Sequence, residues 1–199
     1  MISRVQLGFP EATASALIGP TIVTVGHGTL SASAFAALMR DAGVGSVVDV
    51  RRFPGSRRNP QFGRAEMSHW LPDVGVAYRW MEPLGGRRKG SPESLNTGLR
   101  NAQFRAYADY MSSTEFGAAV DELLALASAG PVAVMCSEAV WWRCHRRLLA
   151  DHIVLVCGRR VQHLFHDGRL ADHPITPGAR RADGHVLYDS EAKANAPGP

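Results

Sequence analysis

Cys136-Ser137-Glu138 closes a short apolar run, Val132-Ala133-Val134-Met135, and Cys144-His145-Arg146 follows shortly after. A thiol, a carboxylate, an imidazole and a guanidinium this close in sequence are the groups that nucleophilic, redox or proton-transfer chemistry uses. Arginines and the N-terminus of a following helix would favour the thiolate of Cys136. The alternative is a small buried hydrophobe at a strand end, which is what most free cysteines are. His27, between Gly26 and Gly28, could be a general base, a metal ligand or a side chain hydrogen-bonded to its own turn. Asp49 with Arg51, and Ser56 with Arg57, could orient a substrate and grip its phosphate or carboxylate. The competing readings are a structural ion pair for the first two and a solvated loop for the others. Tyr78 could provide a stacking wall or simply be core.

Several mechanisms are disfavoured by spacing. An anion cradle that runs from a cysteine to an arginine about six positions on would surround a phosphate with backbone amides. Here that position is Trp142, with Arg143 one step late, and Glu138 would sit inside the loop and repel the anion. A standard cysteine-phosphatase or sulfurtransferase mechanism is therefore rejected. Zinc could be held by Cys136, by Cys144 or His145, and by His27, but the paired spacing of zinc motifs is missing and no metal ligands are assigned. If Cys144 and His145 lie on a helix, their side chains diverge by about 100° and cannot both face one ion. A reversible Cys136–Cys144 disulfide is open, and Arg146 at the helix start is expected to clamp an anion or pair with Glu138. Cys157, on an apolar face, is packing.

The elements that must position these groups alternate in type. Residues 21–26, 46–51, 76–81, 132–136 and 161–166 read as strands, and helices are expected near 31–43, 64–71, 104–111, 114–127 and up to Gly158. This predicts an α/β three-layer sandwich around a mostly parallel sheet of about five strands, with His27, Asp49, Arg51, Cys136 and Glu138 at carboxyl ends of strands on one rim. Residues 1–20 are expected to be an extension, 21–170 a single α/β domain, and 171–199 an irregular tail of Pro, Gly, Asp and Arg.

The chain has 199 residues, 45% hydrophobic, a net charge of +4 and two lysines, so its basicity is almost entirely arginine. Arginine suits phosphate. Three cysteines do not make a disulfide framework, and no apolar stretch approaches membrane-spanning length, so a cytoplasmic location away from the membrane is expected.

Thr24-Val25-Gly26-His27-Gly28, Asp49-Val50-Arg51 with Pro54, Ser56 and Arg57, and Gln61-Phe62 form a series of polar motifs. Leu84-Gly85-Gly86, Phe104 with Tyr107 and Tyr110-Met111, Met135-Cys136-Ser137-Glu138, Cys144-His145-Arg146, then Val161 and His163 continue it. Over residues 21–168 the chain resembles the prokaryotic family catalogued as domain of unknown function 488. That resemblance implies a compact α/β domain and no established activity, substrate or cofactor. From the side chains, the expected function is an enzyme acting on a phosphate-bearing, nucleotide-like or nucleic-acid substrate. Cys136, Glu138, His27 and Asp49 would do the chemistry, and Arg51, Ser56, Arg57, Tyr78, Cys144, His145 and Arg146 would bind. The alternatives are a non-catalytic nucleic-acid-binding accessory of repair and a metal- or redox-sensing thiol protein. The sequence names no cofactor and gives no oligomeric state.

Overall fold

The structure, a computed structural model, describes residues 19–55 and 57–189. The expected extension lies almost wholly outside these residues, as do Ser56 and the last ten positions. Strands β1 (Ile22–Gly26), β2 (Ser46–Asp49), β3 (Ala77–Trp80), β4 (Val132–Cys136) and β5 (Val161–Leu164) run parallel in the order β3-β2-β4-β1-β5. A sixth strand, β6 (Leu170–Asp172), pairs antiparallel with β5 at the sheet edge.

Helices α1 (Ala32–Asp41) and α2 (Arg64–Asp73) cover one face, and α3 (Ala102–Tyr110), α4 (Thr114–Ala129) and α5 (Arg146–Leu155) cover the other. The inner strands serve both sides by alternation. Val47 and Met135 join Phe35, Met39 and Leu71, whereas Val48 and Val134 join Phe116, Leu123 and Ile153. Strands buried on both faces carry few polar residues, and this is why the sheet was legible as apolar runs. Ser31 caps α1 by accepting from the Ala34 N–H, and Gly43 ends it at φ 65°, where a side chain would be strained.

Register then places the polar residues. Gly26 lies opposite Cys136, and Asp49 lies between Met135 and Trp80, so the chain leaves β1, β2 and β4 at one level of one rim. Parallel sheets place ligand sites there.

Among the described residues, the chain from 171 to 189 is not irregular. β7 (Ala179–Ala182) and β8 (His185–Tyr188) form a hairpin whose turn, Asp183-Gly184, has φ of 46° and 83°. Asp-Gly with two positive φ values is the turn that matches strand twist. Val186 and Tyr188 point into the core beside α3 and α5. Two inward apolar residues in a Gly- and Arg-rich setting give almost no periodicity, so the dipeptide was the only readable signal.

Candidate functional site

Arg51 is held by a fork. Its Nε donates to Asp49 Oδ1 at 2.8 Å, and its Nη2 donates to Asp49 Oδ2 at 2.6 Å and to the Phe62 carbonyl at 2.7 Å. Tyr78 Oη donates to Asp49 Oδ2 at 2.7 Å, and the Arg51 N–H donates to Oδ1 at 3.0 Å. Asp49 is 0% exposed and Arg51 6%. His27 completes the group: its Nδ1 donates to the Gly28 carbonyl at 2.9 Å, so Nε2 is the acceptor facing Arg51 Nη1 at 3.3 Å. Burial, then the Arg51 charge, lowers the His27 pKa to about 4. The imidazole is neutral at physiological pH, and its one lone pair is taken.

The thiols meet from the other side. β4 ends at Cys136, a single helical turn spans Trp141–Arg143, and Cys144 is extended at φ −121° and ψ 150° before α5 begins at Arg146. The expectation that Cys144 and His145 diverge on a helix is overturned, because neither is yet inside it. The sulfurs of Cys136 and Cys144 and a nitrogen of His145 all lie within 4.8 Å of one another. His145 Nδ1 is 3.6 Å from Cys144 Sγ, and Nε2 donates to the Val50 carbonyl at 3.1 Å. Tyr107 meets the imidazole edge-on at 5.1 Å, and Gly86 is so close that a Cβ there would lie 2.9 Å from Nδ1.

The two sulfurs are electrostatically unlike. The hydrogen bond to Cys144, then burial, pushes the Cys136 thiol up to about 12. Burial acts against Cys144 too, but the hydrogen bond from Cys136 and the charge and N–H groups of Arg146 outweigh it and bring it down to about 6. Cys144 is thus the more acidic of the two thiols, with Cys136 as its hydrogen-bond donor.

Both thiols lie on the wall of a cavity of about 740 Å³, with His27, Arg51, Glu138 and His145. Its lining also includes Arg52, which pairs with Glu82 at 3.2 Å, Arg87 and Arg143, and, at the start of α3, Asn101, Gln103 and Phe104. The volume lies within the range of small-molecule pockets, about 300 to 1,000 Å³.

Residues 31–153 match the family described as Domain of unknown function DUF488. The chain belongs to the DUF488 family. No curated protein and no solved structure matches it. The matched segment runs from the cap of α1 into α5, so it holds both thiols, His145, Asp49 and Arg51. His27, β5 and the C-terminal hairpin lie outside it.

Of the residues expected at the site, this DUF488 chain brings His27, Arg51, Cys136, Glu138, Cys144 and His145 to one cavity. Asp49 and Tyr78 lie behind it, spent on Arg51. Arg57 is exposed on its loop and does not line the cavity, and Ser56 falls outside the described residues. Arg146 is not at the rim. It is 1% exposed, donates through Nη2 to the Glu138 carbonyl, and reaches Thr24 Oγ1 at 3.5 Å. The Glu138 backbone crosses directly over Gly26, where a Cβ would come 1.8 Å from the Glu138 oxygen. Only glycine fits there.

Behind Arg146 lies a network that sequence reasoning missed. Asp151 accepts from Tyr188 Oη at 2.9 Å, the Thr176 N–H at 2.8 Å and His173 Nε2 at 2.9 Å. His173 Nδ1 is therefore free to accept from His163 Nε2 at 2.9 Å, and His163 Nδ1 from Thr24 Oγ1 at 2.6 Å. Trp141 stacks on His163 at 4.1 Å. Burial, then His173 and Arg146, lowers the His163 pKa to about 3, so this run of donors works with a neutral imidazole. The partners sit on five separate segments, with no local spacing to announce them. The arginines at 52, 87 and 143 were visible only as charge in loops.

Proposed function

We propose that this DUF488 protein is an enzyme acting on a phosphate-bearing, nucleotide-like substrate. The observation that carries the reading is the convergence of two thiols and an oriented imidazole on the wall of a cavity also lined by three arginines. Cys144 is the nucleophile. Its thiolate is fed by the Cys136 S–H, whose proton is then available to the group that departs, and by the N-terminus of α5. Arg52, Arg87 and Arg143 take the phosphate charge, and Glu138, exposed at the cavity edge, serves as the proton acceptor. His27, Asp49 and Tyr78 fix Arg51 and the rim, while Arg146 holds the loop that carries Glu138. Free thiols fit the reducing cytoplasm.

The test is a turnover screen of nucleotides and short oligonucleotides with wild type, Cys144→Ala and Cys157→Ala. Turnover lost in the first variant and kept in the second supports the assignment. Full activity in a folded Cys144→Ala protein overturns it. Non-catalytic nucleic-acid binding is the second reading, supported by Phe53, 67% exposed beside Arg52 with the guanidinium 5.7 Å from its ring. It requires affinity that falls steeply with salt and survives loss of both thiols.

A further inference from the structure

The Val50 carbonyl sets the state of His145. A carbonyl can only accept, so Nε2 carries a proton and Nδ1 is the nitrogen turned to the Cys144 sulfur, at 3.6 Å. A histidine that binds metal through one nitrogen characteristically donates its other N–H to a backbone carbonyl or carboxylate, which fixes both tautomer and ring plane. Here the plane is fixed in three ways, by Val50, by Tyr107 and by the close backbone of Gly86. Nδ1 and the two sulfurs form a triangle with no side above 4.8 Å, contributed by a strand end and by the residues just before a helix. Two thiolates and one imidazole are the ligand set that a borderline-soft divalent ion prefers.

We propose that Cys136 Sγ, Cys144 Sγ and His145 Nδ1 form a site for one zinc-class divalent cation, with the fourth position open to the cavity, and that the ion withdraws the Cys144 sulfur from reaction. The second half rests on the reading of Cys144 as nucleophile, and makes the metal a regulator of that centre. Binding replaces the S–H protons of the pair by the ion, so two thiolates balance the 2+ charge and the displaced protons leave to solvent. His27 is not a ligand: its lone pair faces Arg51.

The experiment uses reduced, chelator-treated full chain without a metal-affinity tag. Zn²⁺ is titrated in competition with a chromophoric chelator, and Co²⁺ serves as the spectroscopic probe. One ion per chain is expected, with sulfur-to-cobalt charge transfer and the intense visible bands of a tetrahedral centre. Cys136→Ala, Cys144→Ala and His145→Ala should each weaken Zn²⁺ at least about 100-fold, whereas Cys157→Ala should not change it. Gly86→Ala, which leaves all three ligands in place but crowds the ring, should cost about 10- to 100-fold. Binding that is equal in wild type and Cys144→Ala, or weak six-coordinate cobalt spectra, overturns the site.

The regulatory half is read by iodoacetamide labelling of wild type with and without saturating Zn²⁺. Protection of Cys144 with Cys157 unaffected supports it. Fast labelling of Cys144 that zinc does not slow would overturn the metal proposal and leave the nucleophile standing. Tight zinc with slow labelling of the metal-free protein would instead refute the nucleophile.

Discussion

Arg51→Met and Asp49→Leu, made singly and together, separate a scaffold pair from a pair of catalytic groups. In the single Arg51→Met variant, a fully buried carboxylate keeps only the Tyr78 Oη and Arg51 N–H donors, at 2.7 and 3.0 Å. Losing one partner of a buried ion pair costs about 3 to 5 kcal/mol, because the remaining charge is stranded away from water. Asp49→Leu strands the guanidinium in the same way. The double variant buries no charge. What remains is the unpaired Tyr78 hydroxyl and Phe62 carbonyl, worth about 1 to 3 kcal/mol, so it should be more stable than either single variant. Urea unfolding followed by circular dichroism measures all four corners of the cycle. Single variants that each cost under about 1 kcal/mol, or a double variant equal to the sum of the singles, would refute the description of this network as a desolvated pair.

Acid should destabilise the fold through its neutral histidines. His27 and His152 are lowered to about 4, and His163 to about 3, each first by burial, from a usual 6.5. The unfolded chain therefore binds more protons between these values, and stability is lost as pH falls from about 6.5 through 4, at up to about 4 kcal/mol per pH unit where all three exchange. Unfolding free energies unchanged between pH 6.5 and 4.5 would contradict this. Tyr188→Phe leaves buried Asp151 without one of its three donors and should cost about 1 to 3 kcal/mol in the same urea assay. An unchanged midpoint would show that the hairpin does not anchor α5. Gly26→Ala sets a Cβ against the Glu138 carbonyl, so loss of soluble folded protein is expected. A normal melting curve would mean that the loop does not cross there.

The inner sheet and its rim could be read from sequence because parallel strands covered on both sides are written as continuous apolar runs, and β1, β2 and β4 end at or next to His27, Asp49 and Cys136. Position at the rim, however, does not fix a role. Arg51 and Arg146 look alike as rim cations, yet both are buried and occupied, because a guanidinium has enough donors to be consumed by a carboxylate two residues away and by loop carbonyls eight and eleven residues away, which no sequence spacing announces. Cys144 and His145 were misjudged by assuming helix two residues before α5 begins at Arg146, and the sign of the dithiol follows from Arg146 lying beside Cys144 rather than Cys136. The hairpin was lost because Asp183-Gly184 is flanked by too few apolar residues to register as strands.

The claim on which the account turns is that Cys144, rather than Cys136, is the anionic sulfur of the cavity. Limiting iodoacetamide added to metal-free protein across pH 5 to 9, with the labelled peptide identified by mass spectrometry, tests it directly. The account predicts label on Cys144 with a rate midpoint near pH 6, shifted upward in Cys136→Ala because the donating S–H is gone. Label on Cys136, or a midpoint at the value of an ordinary thiol, about 8.5, would contradict it.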